Sequence, residues 1–181
     1  MRTLPRWLSL LCVMLLISAC GFQLRGYKEL PLELHVLYLQ TATPNAPVTR
    51  FLASTLQALH IEMTAHPEHA PLVLEILHEG FHANPISVSI QTQLRQYRLL
   101  QTLEFRLVRE DGLVIIPKSQ VSSSRTLTVN ANQVLASTSE QSTLQHEMQQ
   151  EVVRRLIDRL SADDTRHALL HPPVHPAAAP K

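Results

Sequence analysis

Apolar positions recur along this chain with two different periods, and the switches between them mark the elements. Residues 33–40 alternate and are rich in Leu and Val, which predicts a first strand. Thr43-Pro44-Asn45-Ala46-Pro47 reads as a turn, with Pro47 suited to the first position of a helix and Asn45 or Ala46 near its cap. Val48, Phe51, Leu52, Leu56 and Leu59 then follow at helical spacing. A polar, proline-bearing loop at 66–71 ends this part of the chain.

Three extended segments come next. Residues 72–81 predict a strand that Asn84-Pro85 interrupts or ends, and residues 86–90 either resume it or belong to a connection. Residues 96–108 alternate best. Tyr97, Leu99, Leu103, Phe105 and Leu107 share one face with Gln101 as the exception, while Arg98, Thr102, Glu104 and Arg106 take the other with Leu100 and Val108. Asp111-Gly112 is a hairpin signal, and a last extended stretch at 113–129 contains Pro117.

A second helix is expected at 139–160, capped by Thr138 or Ser139. Leu144, Met148, Val152, Val153, Leu156, Ile157 and Leu160 form its apolar stripe, and Arg154, Arg155 and Arg159 fall near its C-terminal end. Two amphipathic helices each need a sheet face to cover. The order β-α-β-β-β-α therefore predicts an α+β fold whose core holds Leu52, Leu56, Leu103, Phe105, Met148, Val152 and Leu156. Residues 161–181, rich in Pro, Ala and His, read as a disordered tail.

The N-terminus carries a different signal. Arg2 and Arg6 precede an apolar run at 7–17 that is too short to span a bilayer as a helix. Ser18 and Ala19 then lead into Cys20, where an ordinary cleavage site has another small residue. Residues 1–19 are thus expected to be a lipoprotein signal peptide, with Cys20 carrying an S-diacylglycerol and an N-acyl chain after cleavage. Each buried CH₂ contributes about 0.8 kcal/mol, and two or more chains hold stably. Gly21 after the cysteine, in place of aspartate, favours the outer membrane over retention at the inner one.

Cleavage of residues 1–19 from the 181-residue chain leaves 162 residues, enough for one domain with a real core. Arg2 and Arg6 leave with the signal, so fourteen cationic residues face fifteen carboxylates and the formal charge is −1. That balance excludes a basic nucleic-acid binder. Cys12 is also lost and Cys20 is acylated, leaving no thiol for a disulfide, a thiolate metal site or a nucleophile. Neither GxGxxG nor GxxxxGK occurs.

Ten histidines invite a metal reading, above all His78 and His82, which share a face in an extended strand. No HExxH or carboxylate-rich loop accompanies them, and surface use of histidine explains them as well; no metal or cofactor is expected. Ser122-Ser123-Ser124 lacks a nucleophile elbow, so no catalytic residue is expected either. Arg95, Arg98, Arg106, Arg109, Lys118 and Arg125 lie on or between strands and offer an anion-binding edge. Ordinary surface charge explains any one of them equally well.

Cys20-Gly21-Phe22-Gln23-Leu24-Arg25-Gly26 resembles the N-terminal C-G-aromatic-x-L-R motif of the LptE family of lipopolysaccharide-assembly lipoproteins. Asn45-Ala46-Pro47-Val48-Thr49-Arg50 and the apolar-and-arginine stretch 151–160 resemble the same family, and the likeness covers roughly residues 20–160. The resemblance implies two helices on one face of a four-stranded sheet and a non-enzymatic role. It also implies a place as plug and assembly partner inside the LptD outer-membrane barrel, with lipopolysaccharide bound partly through basic residues beside the sheet and delivered to the outer leaflet. Arg95, Arg98, Lys118 and Arg125 are then the candidate lipopolysaccharide contacts. Where some members carry a lysine before the second helix, this chain has Leu135-Ala136-Ser137-Thr138. Two readings stay open beside this one: a general outer-membrane lipoprotein scaffolding another envelope complex, and a histidine-dependent periplasmic metal enzyme.

Overall fold

The computed structural model describes residues 30–89, 94–130 and 134–171. The readings placed on residues 1–26, and the tail from residue 172 onward, lie outside the described residues. Five strands form one sheet: β1 (Val36–Thr41), β2 (Glu62–Met63), β3 (Leu72–Ser89), β4 (Leu94–Arg109) and β5 (Val114–Asn130). Three helices accompany it: α1 (Pro47–Ala58), α2 (Val134–Leu160) and α3 (Asp163–Leu170). The strand order is β2-β1-β3-β4-β5, with β1 parallel to both neighbours and the β3-β4 and β4-β5 pairs antiparallel.

The architecture is α+β as expected, with one strand and one helix more than the four-stranded, two-helix expectation. The extra strand follows from how α1 ends. His60 takes φ 60°, and the Ile61 N–H donates to the Leu56 carbonyl while the His60 N–H donates to that of Gln57. That is a Schellman closure with histidine in the position glycine usually fills. It turns the chain back so that the Glu62 and Thr64 N–H groups reach the carbonyls of His35 and Leu37. A two-residue strand has too little pattern to be read from sequence.

The extra helix corrects the tail reading. Residues 163–170 are helical, although they were expected to belong to a disordered stretch from 161. Asp163 and Asp164 stand in the first turn, where carboxylates suit the helix dipole. Thr165 is buried and its hydroxyl donates to the Arg159 carbonyl, while Ala168 and Leu169 pack against the main core. So short a helix has no periodic signature and is held by packing. Two boundaries also move. Residues 32–34 form a 3-10 turn ahead of β1, where a strand was expected from 33. The second long helix begins at Val134, so Thr138 and Ser139 are interior positions and not caps.

Two bulges explain where alternation misled. Ile76 pairs with Phe105 but His78 with Glu104, so Leu77 is an extra residue, 41% exposed, and inward positions switch from even to odd along β3. Leu72, Leu74 and Ile76 point to the core before the switch; Glu79 and Phe81 share the helix face after it. The strand then continues through Pro85, which a second register shift between Pro85 and Ser87 accommodates, so Asn84-Pro85 does not end it. On β5 a shift around Pro117 lets Ile115 and Ile116 both be buried.

All seven expected core residues are fully buried. Six belong to the main core, with Leu34, Leu37, Leu74, Leu107 and Ile157 around them; Met148 belongs to a smaller cluster with Leu99 and Leu127. Sheet and helix are also joined by charge. Ala46, the residue before α1, provides no side-chain cap. Glu79, from the middle of β3, accepts from the Val48 and Thr49 N–H groups at 3.2 and 3.3 Å. Losing such a cap costs about 0.5–2 kcal/mol, so Glu79→Ala should lower the urea midpoint by a corresponding amount with an unchanged slope. A midpoint equal to that of the parent protein would show that these bonds do not stabilise α1.

Candidate interaction surface

The helices cover one face of the sheet, and the opposite face of β3, β4 and β5 is left bare. Register fixes what that face presents. His78, Gly80 and His82 on β3 stand beside Glu104, Thr102 and Leu100 on β4, which in turn face Gln120, Ser122 and Ser124 on β5. Ion pairs lace it together: Arg106 with Glu75, and Lys118 with Glu104 at 2.8 Å. The carboxylate of Glu75 keeps the Arg106 guanidinium protonated to a higher pH than usual. The result is a long, polar, hydroxyl-rich surface.

The four basic candidates do not form one cluster. Arg98 and Lys118 share the bare face, but Arg98 pairs with Asn84 and Thr126 while Lys118 bonds to Glu104, six residues further along β4 and therefore about 20 Å away. Arg95 lies one residue past the start of β4, and Arg125 lies on the edge strand β5 with its guanidinium donating to the Ser124 carbonyl at 3.0 Å. All four are exposed. Arg155 shows the helix side of the same edge, donating from α2 to the Ser122 carbonyl at 2.6 Å while its Nε bonds to Glu151. Arg154 and Arg155 hold the Glu151 carboxyl below its ordinary range, with Arg154 the larger influence. The bond from Arg155 to the strand was not visible in sequence, because it depends on which strand lies under the helix.

The histidine pair lies as the strand reading predicted, on one face astride Gly80. The two Nε2 atoms stand 3.3 and 3.4 Å from where a Gly80 Cβ would sit, and the Thr102 hydroxyl oxygen lies at 2.9 Å. Among the described residues no group of three or more His, Cys, Asp or Glu side chains is placed to hold a metal. Two imidazoles without a third protein ligand fall short of a structural or catalytic zinc site. At the far end of the β4-β5 hairpin, Arg109 and the Leu113 N–H hold the Asp111 carboxyl down at about 2. This is local turn chemistry and not a reactive group. No described helix is long and apolar enough to cross a membrane.

The family described as LptE, lipopolysaccharide-assembly, matches residues 34–160. The chain is 30% identical over 153 residues to the LPS-assembly lipoprotein LptE of Yersinia enterocolitica, covering 81% of this chain and 70% of that one. It is 26% identical over 146 residues to the protein of the same name from Photorhabdus laumondii, covering 81% and 79%. The solution structure of an uncharacterized lipoprotein B from Nitrosomonas europaea shares the fold, with a TM-score of 0.67 at 21% identity over 83% of this chain and 97% of that one. The match runs from the 3-10 turn before β1 to the last residue of α2, through the whole sheet and both long helices, and this chain belongs to the LptE family of lipopolysaccharide-assembly proteins.

Proposed function

We propose that the protein is anchored in the outer membrane by acyl chains on Cys20 and serves there as the plug and assembly subunit of an LptD-type barrel, taking part in delivery of lipopolysaccharide to the outer leaflet. Members of this family are non-enzymatic, and the bare sheet face is the observation that carries the finer reading. Large outer-membrane barrels have polar interiors. A plug inside one needs a broad polar wall, and the face around Glu75, Glu104, Arg106 and Lys118 supplies one in which charges are already neutralised in pairs. Strands of 16–18 residues make it about 55 Å long, more than the roughly 40–45 Å of a whole bilayer.

Lipopolysaccharide contact is assigned to the exposed cations, with Arg98 the leading candidate because it stands on the bare face and is free to grip a phosphate bidentately. Depletion of the protein tests the assembly role: mature barrel should fall, and cells should become leaky to large hydrophobic antibiotics. Normal surface lipopolysaccharide and normal barrel after depletion would favour the general scaffold reading. The anchor has its own test. Cys20→Ser should abolish incorporation of a fatty-acid analogue, and label retained by that variant would remove Cys20 as the acylation site.

A further inference from the structure

The two most exposed large hydrophobic side chains among the described residues lie at one end of the domain. Leu32 is 78% exposed and Leu170 56%. Both line an open cavity of about 680 Å³ between the 3-10 turn, the C-terminal end of α1, and α3. Leu32 also walls a second cavity of about 330 Å³ that reaches Pro71, Leu72 and Leu169. β1 and β3 start at this end and β4 finishes there, so the β4-β5 hairpin adds the exposed Val114 to it. An end that gathers bare apolar side chains around two concavities, while the open sheet face is polar, marks a contact with an apolar surface.

Which surface follows from where the chain leads. Leu30, the first described residue, lines the larger cavity and stands ten residues after Cys20, a separation of at most about 35 Å. An anchor at Cys20 therefore keeps this end within reach of the lipid, and not the far end, about 50 Å away along β4. So short a tether gives an effective concentration in the millimolar range, enough to populate a contact too weak to hold a free protein. The charges at this end oppose one another. Glu33 and Arg166 line the larger cavity together with His35 and His60, and Arg109 in the smaller one is paired with Asp111. Charges of both signs give an anionic headgroup no net advantage. Apolar contact is left as the attraction, which suits a zwitterionic bilayer interface.

We propose that, in the anchored protein not yet joined to a barrel, Leu32 and Leu170 dip into the interfacial layer of the membrane that holds the anchor. The domain then rests end-on, with its polar sheet face open to a partner. The placement rests on Cys20 as the point of attachment and is independent of the barrel reading.

Single-tryptophan fluorescence tests it. Trp7 is the one tryptophan of the chain and leaves with the signal, so the mature chain from residue 20 has none, and Cys20 is its only thiol. Coupling that thiol to a maleimide-bearing lipid in vesicles of phosphatidylethanolamine and phosphatidylcholine holds the protein as the anchor would, whether or not cells acylate it. Leu32, Leu170 and Leu94 are all exposed, so tryptophan at any of them leaves the core intact. With the phosphatidylcholine brominated near the top of its chains, Leu32→Trp and Leu170→Trp should each lose at least about half of their emission, since interfacial side chains sit about 5–10 Å into the headgroup–acyl boundary. Leu94→Trp, at the far end of β4, should be quenched little. Equal quenching at all three sites would overturn the proposal, and so would its absence at Leu32→Trp and Leu170→Trp. A blue-shifted Leu32→Trp emission from the uncoupled protein without vesicles would overturn it too. If that shift grew with protein concentration, a second copy would be the occupant; if it did not, another part of the same chain would be. The experiment contains no barrel and supplies its own tether, so its failure leaves the barrel reading and acylation at Cys20 standing.

Discussion

Truncating Phe105 to Ala should destabilise the protein by about 3–5 kcal/mol. Phe105 is fully buried in the main core and heads the largest fully buried side chains among the described residues. It stands on β4, four residues before the strand ends, paired with Ile76 on one side and Ser119 on the other, under a face that the helices cover. Removing the ring forfeits its transfer from water and leaves a cavity that a sheet hydrogen-bonded on both sides relaxes into poorly. Equilibrium unfolding in urea reads the loss directly. A change below the surface range of about 0.5 kcal/mol would mean that the ring contributes little to the core.

The opposite sign is expected two pairs away. Gln101 and Ser123 face each other across β4 and β5 at 1% and 2% exposure, on the helix-covered side. The Gln101 Oε1 and the Ser123 Oγ have no hydrogen-bond partner. They form a polar step between the main core, which reaches Leu103, and the smaller cluster around Leu99, Leu127 and Met148. A buried polar group left unpaired costs about 1–3 kcal/mol. Gln101→Met keeps the shape and removes that cost, so it should stabilise the protein by about 1–3 kcal/mol. A destabilised Gln101→Met would show that the amide makes bonds that outweigh its unpaired oxygen, and adding Ser123→Ala would then locate the partner. Natural retention of such a step fits a protein selected for something other than maximal stability.

The same Gln101 shows how much was legible in the chain. It was the one polar residue in the inward row of the best strand, and it is buried with that row. Alternation over 96–108 and the 3.6-residue stripes at 48–59 and 144–160 are strong enough to identify the helix-facing residues from sequence. The readings failed where a single residue changes the period or where packing replaces pattern. Leu77 breaks the alternation of β3 by bulging, Glu62 and Met63 are too few to have a period, and α3 is held by Thr165, Ala168 and Leu169 against a core that only the fold assembles. Of the candidate site, the sequence named Arg95, Arg98, Lys118 and Arg125 but had no way to say that Arg98 and Lys118 share a face while Arg95 and Arg125 do not join them. Those facts depend on register across three strands, which sequence spacing within one strand does not contain.

The central claim is that the mature lipoprotein works inside an outer-membrane barrel. Mild-detergent purification of the tagged, acylated protein from membranes, followed by mass identification of what remains bound, tests it most directly. The account predicts a large barrel protein of the LptD type at near one-to-one ratio. Arg98→Glu should leave that complex intact, because broad interfaces spread their energy over many contacts, while lowering the lipopolysaccharide recovered with it. Recovery of the acylated protein without a barrel, or with a different envelope complex in stoichiometric amount, would contradict it.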